Sequence, residues 1–372
     1  MHTRYFRFVL LFAILICFTV VRNTSSDTDE QNAKKHRAQQ NRPIKLGTSG
    51  GNNEDTDGFF CCSGTLGALV EDLAGLNQFI LSNNHVLGLG NRGRAGDDVD
   101  QPGLIDHNCS PSNLGPVADL TKKVKFRFGA TKKNLVDAAI AKVRPGQVDP
   151  TGAILDIGIP GQPVEAALGD QVQKTGRTTG KRAGEVIALG VTLFVPIPTE
   201  CGSIDSKLAR FDDQIVIEPV KRAKPFVQPG DSGSLVVEKK TSCPASIGLL
   251  AFGDDQGVGG ANRIQNVLTK LKVRIVGCAA GAYASKKVIR PLSIQDSRVK
   301  EAIAVKEKYL DQLMRTPGVS AVGVGKANDG SGNLALIVYV VKGSLAAGKG
   351  FIPAQYGNLP VRVKETSGFR LM

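Results

Sequence analysis

From Lys45 to about Val276, short apolar runs alternate with clusters of Gly, Pro, Asn and Asp. The runs at 65–70, 78–82, 135–143, 185–195, 214–219, 235–238 and 247–252 mostly have the length of strands. Spaced strands with turn signals between them predict a β-barrel or a sandwich. Near Gly277 the texture changes, and residues 281–292 read as a connector. Over 293–315, Ala302, Val305, Tyr309 and Leu313 fall beside Ile303, Leu310 and Met314, one apolar face at helical spacing. Pro317-Gly318 ends that helix. Three strand-like runs follow at 319–325, 334–341 and 359–365, with "NDGSGN" as a hairpin between the first two. Residues 293–372 are therefore expected to form a small α+β unit with no evident chemistry of its own.

The two ends of the pattern differ in kind. Arg4 and Arg7 precede an apolar run of 14 residues, Phe8 to Val21, interrupted only by Thr19. That is short for a membrane span and right for the apolar region of a signal peptide. No A-x-A cleavage site follows, so residues 1–22 read as a signal peptide or, through 8–21, as an uncleaved membrane anchor. Either way the body is expected to be exported, secreted or held in the periplasm or cell envelope. Residues 23–44 are polar and charged without periodicity and read as a linker.

Composition narrows the picture further. The chain has 372 residues, 41% hydrophobic, with 43 Gly and no Trp, which suits a mainly β body better than a helical bundle. The net charge is +13, and between Arg263 and Lys308 eleven Lys/Arg face three Asp/Glu. Such a zone (263–308) is suited to an anionic polymer or surface, or else is a solvated face and linker. No motif for specific nucleic-acid recognition accompanies it. Seven cysteines include Cys17 in the leading segment, which leaves Cys61, Cys62, Cys109, Cys201, Cys243 and Cys278. An even number in an exported chain predicts at least one disulfide, although six cysteines leave the connectivity open. "GLGNRG" at 88–93 is followed by no helical pattern, so dinucleotide binding is excluded. His107 with Cys109 is a poor zinc pair. No metal or cofactor is expected.

The stretch "VQPGDSGSLVV" holds Ser232 in a tight Gly-Asp-Ser-Gly turn ahead of an apolar strand. A serine hydroxyl becomes a nucleophile only when a base removes its proton. All four histidines, His2, His36, His85 and His107, precede Ser232, which excludes the α/β-hydrolase order. His2 lies in the leading segment and His36 in the expected linker. His85 lies directly after an apolar strand in "QFILSNNHVLG" and is the candidate base. Asp137 sits inside the apolar run "LVDAAI", where a carboxylate is costly without a partner, and it is the candidate to orient His85. The chain order His85, Asp137, Ser232 is that of the chymotrypsin type.

Together, "LSNNHVLG", "VDAAIAKV", "PGDSGSLVV" and "VQKTGRTTGKRAGEV" resemble the chymotrypsin-like, or trypsin-like, serine peptidases, with the texture of bacterial members carrying SNNHVL and GRTTG segments. The resemblance implies a double antiparallel β-barrel over 45–280 with a catalytic triad in the cleft between two six-stranded barrels. Ser232 would be the nucleophile, His85 the general base and then acid, and Asp137 its orienter, with Gly230 and Ser232 N–H groups as the oxyanion hole. The substrate would be a polypeptide, hydrolysed through an acyl-enzyme. By the same resemblance Phe226 lies at the base of the specificity pocket, and Ala251, Phe252 and Gly253 form the strand along the cleft. No acidic residue lies between Ala223 and Pro229, so cleavage is expected after small or medium apolar residues unless Asp254 or Asp255 turns inward. Two features depart from the family: the cysteine after the candidate histidine is distant, at 109, and the activation-type N-terminus is absent, which implies a constitutively formed site. The rival readings are a peptidase-like protein that binds an anionic polymer or protein partner, and an esterase or acyl-transfer hydrolase using the same triad.

Overall fold

The computed structural model describes residues 31, 33–278, 290–329, 332–344 and 352–372. The expected signal or anchor segment, the linker's first residues and nearly all of the connector lie outside them.

The first half of the chain forms β1 (Thr48–Asn52), β2 (Gly64–Leu66), β3 (Ala68–Asp72), β4 (Gln78–Ser82), β5 (Asp98–Asp100), β6 (Ala118–Lys123), β7 (Gly129–Asn134) and β8 (Ala139–Val143). The pairing β3-β4-β8-β6-β5-β1-β2 is antiparallel throughout. β2 and β3 are one run bent at Gly67, so this path returns on itself as a barrel. The apolar cluster around it includes Leu66, Leu69, Ile80, Leu81, Leu120 and Ile140, with Leu69, Ile80 and Leu120 on one face of the sheet and Leu81 and Ile140 on the other.

The second half begins with β9 (Gly161–Pro163), followed by β10 (Gln171–Gly176), β11 (Gly180–Pro198), β12 (Ser206–Pro219), β13 (Leu235–Glu238), β14 (Ala245–Gly253) and β15 (Gly259–Arg263). Here the ring β11-β10-β13-β14-β15-β12 closes through a β11–β12 pairing. A short helix, Ile264–Leu271, and β16 (Val273–Ile275) carry the chain back to pair with β3 of the first barrel. The fold is thus mainly β, a chymotrypsin-like double antiparallel barrel followed by a small α+β unit.

That unit consists of the helix Ser297–Arg315, β17 (Val319–Lys326), β18 (Leu334–Val341), β19 (Gln355–Tyr356), β20 (Leu359–Thr366) and β21 (Arg370–Leu371). β17 pairs antiparallel with β11, Val322 opposite Thr192 and Ala321 opposite Leu193, so the unit's sheet continues the second barrel. The helix lays Val299, Ala302, Leu310 and Leu313 inward and is capped by Asp296, which accepts from Arg298 N–H. Lys306 shares that buried face, against its polarity. Its Nζ reaches Gly190 O at 2.6 Å and Thr192 Oγ1 at 3.2 Å, tying helix to barrel.

All six cysteines outside the leading segment are bridged, as Cys61–Cys109, Cys62–Cys201 and Cys243–Cys278. Cys62–Cys201 joins the first barrel to the β11–β12 turn of the second. The basic zone offers no continuous cationic face among the described residues. Arg263 pairs with Glu165 and Asp213, Arg274 with Glu71, and Arg290 with Asp170, so the expectation of an anionic polymer or surface partner gains no support. His36, read as part of a linker, is buried instead: its Nδ1 lies 3.0 Å from Gly47 O and its Nε2 2.9 Å from Asp156 Oδ2. Burial pushes it below the usual histidine range, against the pull of Asp156.

Candidate active site

β4 ends at Ser82, and the chain turns at once into a single helical turn, Asn84–Leu87, that carries His85. Asp137 lies just ahead of β8. Its Oδ2 is 2.5 Å from His85 Nδ1, while Oδ1 accepts the N–H groups of Asn84 at 2.7 Å and His85 at 3.2 Å. The carboxylate therefore holds both the ring and the turn that presents it. Asn83 Nδ2 donates to Asp137 O at 2.7 Å, and Asn262 from β15 accepts the Asp137 N–H at 2.9 Å. A side chain of the second barrel thus locks a backbone of the first. Among the described residues no group hydrogen-bonds His85 Nε2, although that atom is buried.

Ser232 occupies the loop before β13. Gly230 takes φ +98° and Gly233 φ +93°, backbone that an L side chain rarely adopts. A Cβ on Gly233 would also lie 2.1 Å from Ser82 Oγ and 2.2 Å from Thr65 O, so only glycine lets this loop press against the first barrel. There Thr65 N–H donates to Ser232 O at 2.8 Å and Thr65 Oγ1 to Gly230 O at 2.9 Å. Ser234 turns its hydroxyl back onto Asp231 O at 2.6 Å.

The Ser232 hydroxyl donates to Ala251 O at 3.2 Å and accepts the Met372 N–H at 3.1 Å. Its own N–H donates to Met372 O at 3.2 Å, so one of the two expected oxyanion donors is already taken by the tail. A cavity of about 310 Å³ is lined by His85, Gly230, Arg177, Asp55, Leu371 and Met372, among others.

Asp231 is fully buried next to Ser232. Lys174 Nζ lies 2.9 Å from its Oδ2, and Thr178 N–H, Thr179 N–H and the Thr179 hydroxyl also converge on the carboxylate. Burial by itself would raise the Asp231 carboxyl, but Lys174 and these donors outweigh it and hold it below the usual carboxylate range. Asp55 is the opposite case. Burial raises it to about 6, with Arg92 and His85 pulling the other way. Its carboxylate lies 3.7 Å from Arg92.

The expected pocket residues Phe226, Ala251, Phe252 and Gly253 are all buried, but they do not surround one cavity: Phe226 packs in one apolar cluster, Ala251 and Phe252 in another. Val227 packs against Gly253, where a Cβ would meet its Cγ1 at 2.5 Å. A cavity of about 670 Å³ beside these segments is lined by Glu218, Arg222, Val227, Asp254, Asp255 and Arg370, among others. Asp254 accepts from Thr366 Oγ1, Gln256 N–H and Val258 N–H, and Asp255 is exposed and pairs with Arg370.

Pattern reading missed Lys174, Asn83, Asn262 and the C-terminal tail. The first had a usable signal. A buried Asp231 needs a cation beside it, and "QVQKTG" places a lysine on a strand whose burial runs nearly unbroken. The tail had none.

No family model matches the sequence, and no curated protein does. Among solved structures, protease A of Thermobifida fusca is 16% identical, with a TM-score of 0.41 over 63% of this chain and 99% of its own. A Nocardiopsis protease is 16% identical at a TM-score of 0.40, covering 62% of this chain and 98% of its own. A glutamic acid specific serine protease is 14% identical at 0.43, covering 62% of this chain and 100% of its own. These likenesses are faint, and the chemistry of the site rests on its own geometry.

Proposed function

We propose that the chain is a serine endopeptidase in which Ser232 is the nucleophile, His85 the general base and Asp137 the group that orients it. The observation that carries this reading is the convergence on one cavity of a carboxylate-bound histidine with an unpartnered Nε2 and of a serine loop whose N–H already holds an oxygen of Met372.

In this reaction Ser232 Oγ adds to the scissile carbonyl carbon as its proton passes to His85 Nε2. Negative charge collects on the carbonyl oxygen, where the Ser232 and Gly230 N–H groups receive it. Asp137 fixes the Nδ1–H tautomer and stabilises the imidazolium. The C–N bond then breaks, and His85 returns its proton to the departing amine. Water, deprotonated by His85, repeats the addition on the acyl-enzyme and releases the acid and the serine. Before attack, the Ser232 hydroxyl must leave Ala251 O and give its proton to Nε2.

Peptide rather than ester is favoured because the cleft strand Ala251–Gly253 offers its backbone to an extended chain, and an ester lacks the amide that would answer it. Three disulfides support an oxidising compartment and hence export. The test is labelling by a fluorophosphonate probe, with the adduct mapped by mass spectrometry. Modification at Ser232 that disappears in His85→Ala supports the assignment. Absence of any adduct, in protein whose cleft is shown to be open, removes it.

A further inference from the structure

Beyond β20 the chain crosses the cleft and is tied to it at each step. Thr366 Oγ1 donates to Asp254 Oδ2 at 2.8 Å, and Asp255 N–H donates to Ser367 Oγ at 2.8 Å. Gly368, at φ +91°, turns the chain. Phe369 is buried, its ring edge-on to Tyr339 at 5.5 Å between centroids. β21 then adds to β14 as an antiparallel strand, Arg370 opposite Gly253 and Leu371 opposite Phe252. The Arg370 guanidinium pairs with Asp255. Met372 N–H lies 3.3 Å from Ala251 O, and Met372 O receives the Ser232 N–H. Its side chain is buried in an apolar cluster with Phe226 and Val227. A Cβ on Gly253 would stand 3.0 Å from Met372 Cγ, so the methionine lies directly over that glycine.

An extended peptide that adds to a sheet edge gains affinity from its backbone and selectivity from alternate side-chain pockets. Here the added strand also delivers Met372 O to the nucleophile's own N–H, as the acyl half of a cleaved polypeptide would. We propose that Phe369–Met372 is an intramolecular occupant of the acyl side of the substrate groove, and that the groove selects polypeptides reading Phe-Arg-Leu-Met, with methionine in the primary pocket. The proposal rests on the peptidase reading for the groove's role. Three of the four positions have a reason: an unbranched thioether fills the narrow slot between Val227 and Gly253, arginine meets Asp255, and the phenyl ring packs on Tyr339. A tethered segment acts at an effective concentration of order mM, so an incoming polypeptide of equal intrinsic affinity loses to it. The tail also engages Ser232 Oγ through the Met372 N–H. Displacement of the tail and arming of the nucleophile are one event.

The test uses the full chain. Met372→Asp sets a carboxylate against Phe226 and Val227, where its desolvation is uncompensated, and expels the tail. A fluorescein-labelled Gly-Phe-Arg-Leu-Met peptide is titrated into chains carrying Ser232→Ala, with and without Met372→Asp. The expected result is binding at least tenfold tighter to the Met372→Asp chain, and none by a peptide ending in Asp. Equal affinity for the two chains overturns the proposal. Phe369→Ala, which loosens the tail at Tyr339 and keeps Met372, is expected to shift binding in the same direction and guards against a misfolded first variant. Fluorophosphonate labelling of the same chains with Ser232 restored separates the two readings. A tenfold binding difference without labelling in either chain upholds the occupied groove and removes the hydrolase. Equal labelling together with equal binding removes the occupant and leaves the hydrolase.

Discussion

Lys174 and Asp231 form an ion pair closed off from solvent, with Nζ 2.9 Å from Oδ2 and both side chains 0% exposed. The pair joins β10 to the residue before Ser232. Two buried charges are held there because each is the other's main compensation, and Thr178 and Thr179 satisfy the remaining carboxylate lone pairs. The cation comes from within the barrel, so the turn around Ser232 is formed as soon as the barrel closes. Burial pushes the Lys174 ammonium below its usual range, against the pull of Asp231, which makes the lysine dependent on its partner.

Replacing one partner leaves the other charged and buried. Lys174→Met is expected to lower stability by about 3–5 kcal/mol, read from urea unfolding. It should also disorder the 228–233 loop enough to abolish labelling of Ser232. A Lys174→Met chain that unfolds at the wild-type midpoint would show the pair to be incidental.

Hydrolysis should depend steeply on the three site residues while folding does not. Ser232→Ala and His85→Ala are each expected to remove turnover of a peptide substrate and keep the wild-type circular dichroism. Asp137→Asn should lower turnover by about 10⁴, because an amide stabilises the wrong histidine tautomer. Turnover at the wild-type rate in purified Ser232→Ala refutes the nucleophile.

Asp55, in the wall of the His85 cavity, predicts a pH effect on stability. Its carboxyl is raised from 3.8 to about 6, so between those values the folded chain holds a proton that the unfolded chain has given up. The stabilisation is complete below about pH 4 and lost as pH rises through 6. Asp55→Asn, which cannot ionise, should match wild type at pH 4 and exceed it at pH 7.5 by up to about 3 kcal/mol, at 1.36 kcal/mol per unit. Urea titrations at the two pH values decide it, and a constant difference between the proteins contradicts the burial argument.

Gly253 should control the primary pocket. A Cβ there would crowd Val227 Cγ1 at 2.5 Å, so Gly253→Val is expected to cut kcat/KM for substrates with methionine before the cleaved bond by at least about 10², given what one misplaced group costs a catalytic site. Met372 lies in an apolar cluster with Phe226 and Val227, so a mixed peptide library should show cleavage after methionine and similar residues, and little after lysine or arginine. Dominant cleavage after a basic residue rules the pocket out.

Much of this protein is written locally in its sequence. Apolar runs spaced by glycine and proline clusters forecast a mainly β body, and Gln78–Ser82 and Leu235–Glu238 are strands with those bounds. Burial alternates or runs along such segments whatever their partners, so the hydrophobic pattern carries the element without the fold. Ser232 and His85 stood out for a related reason. A tight glycine turn before an apolar strand, and a histidine directly after one, are short-range signals.

What tertiary structure decided is everything that depends on which distant backbone lies alongside. His36 sits in a polar stretch and is buried only because Gly47 and Asp156, 11 and 120 residues away, close over it. Asn262 acts on Asp137 across 125 residues. Leu371 and Met372 carry no mark that separates them from any apolar tail. Their place in the cleft follows from β17 extending the second barrel through β11 and from β20 then aiming the chain at β14. Hydrogen-bonded sheets propagate register from strand to neighbouring strand, and that order of neighbours, not the identity of the last residues, brings Met372 to Ser232.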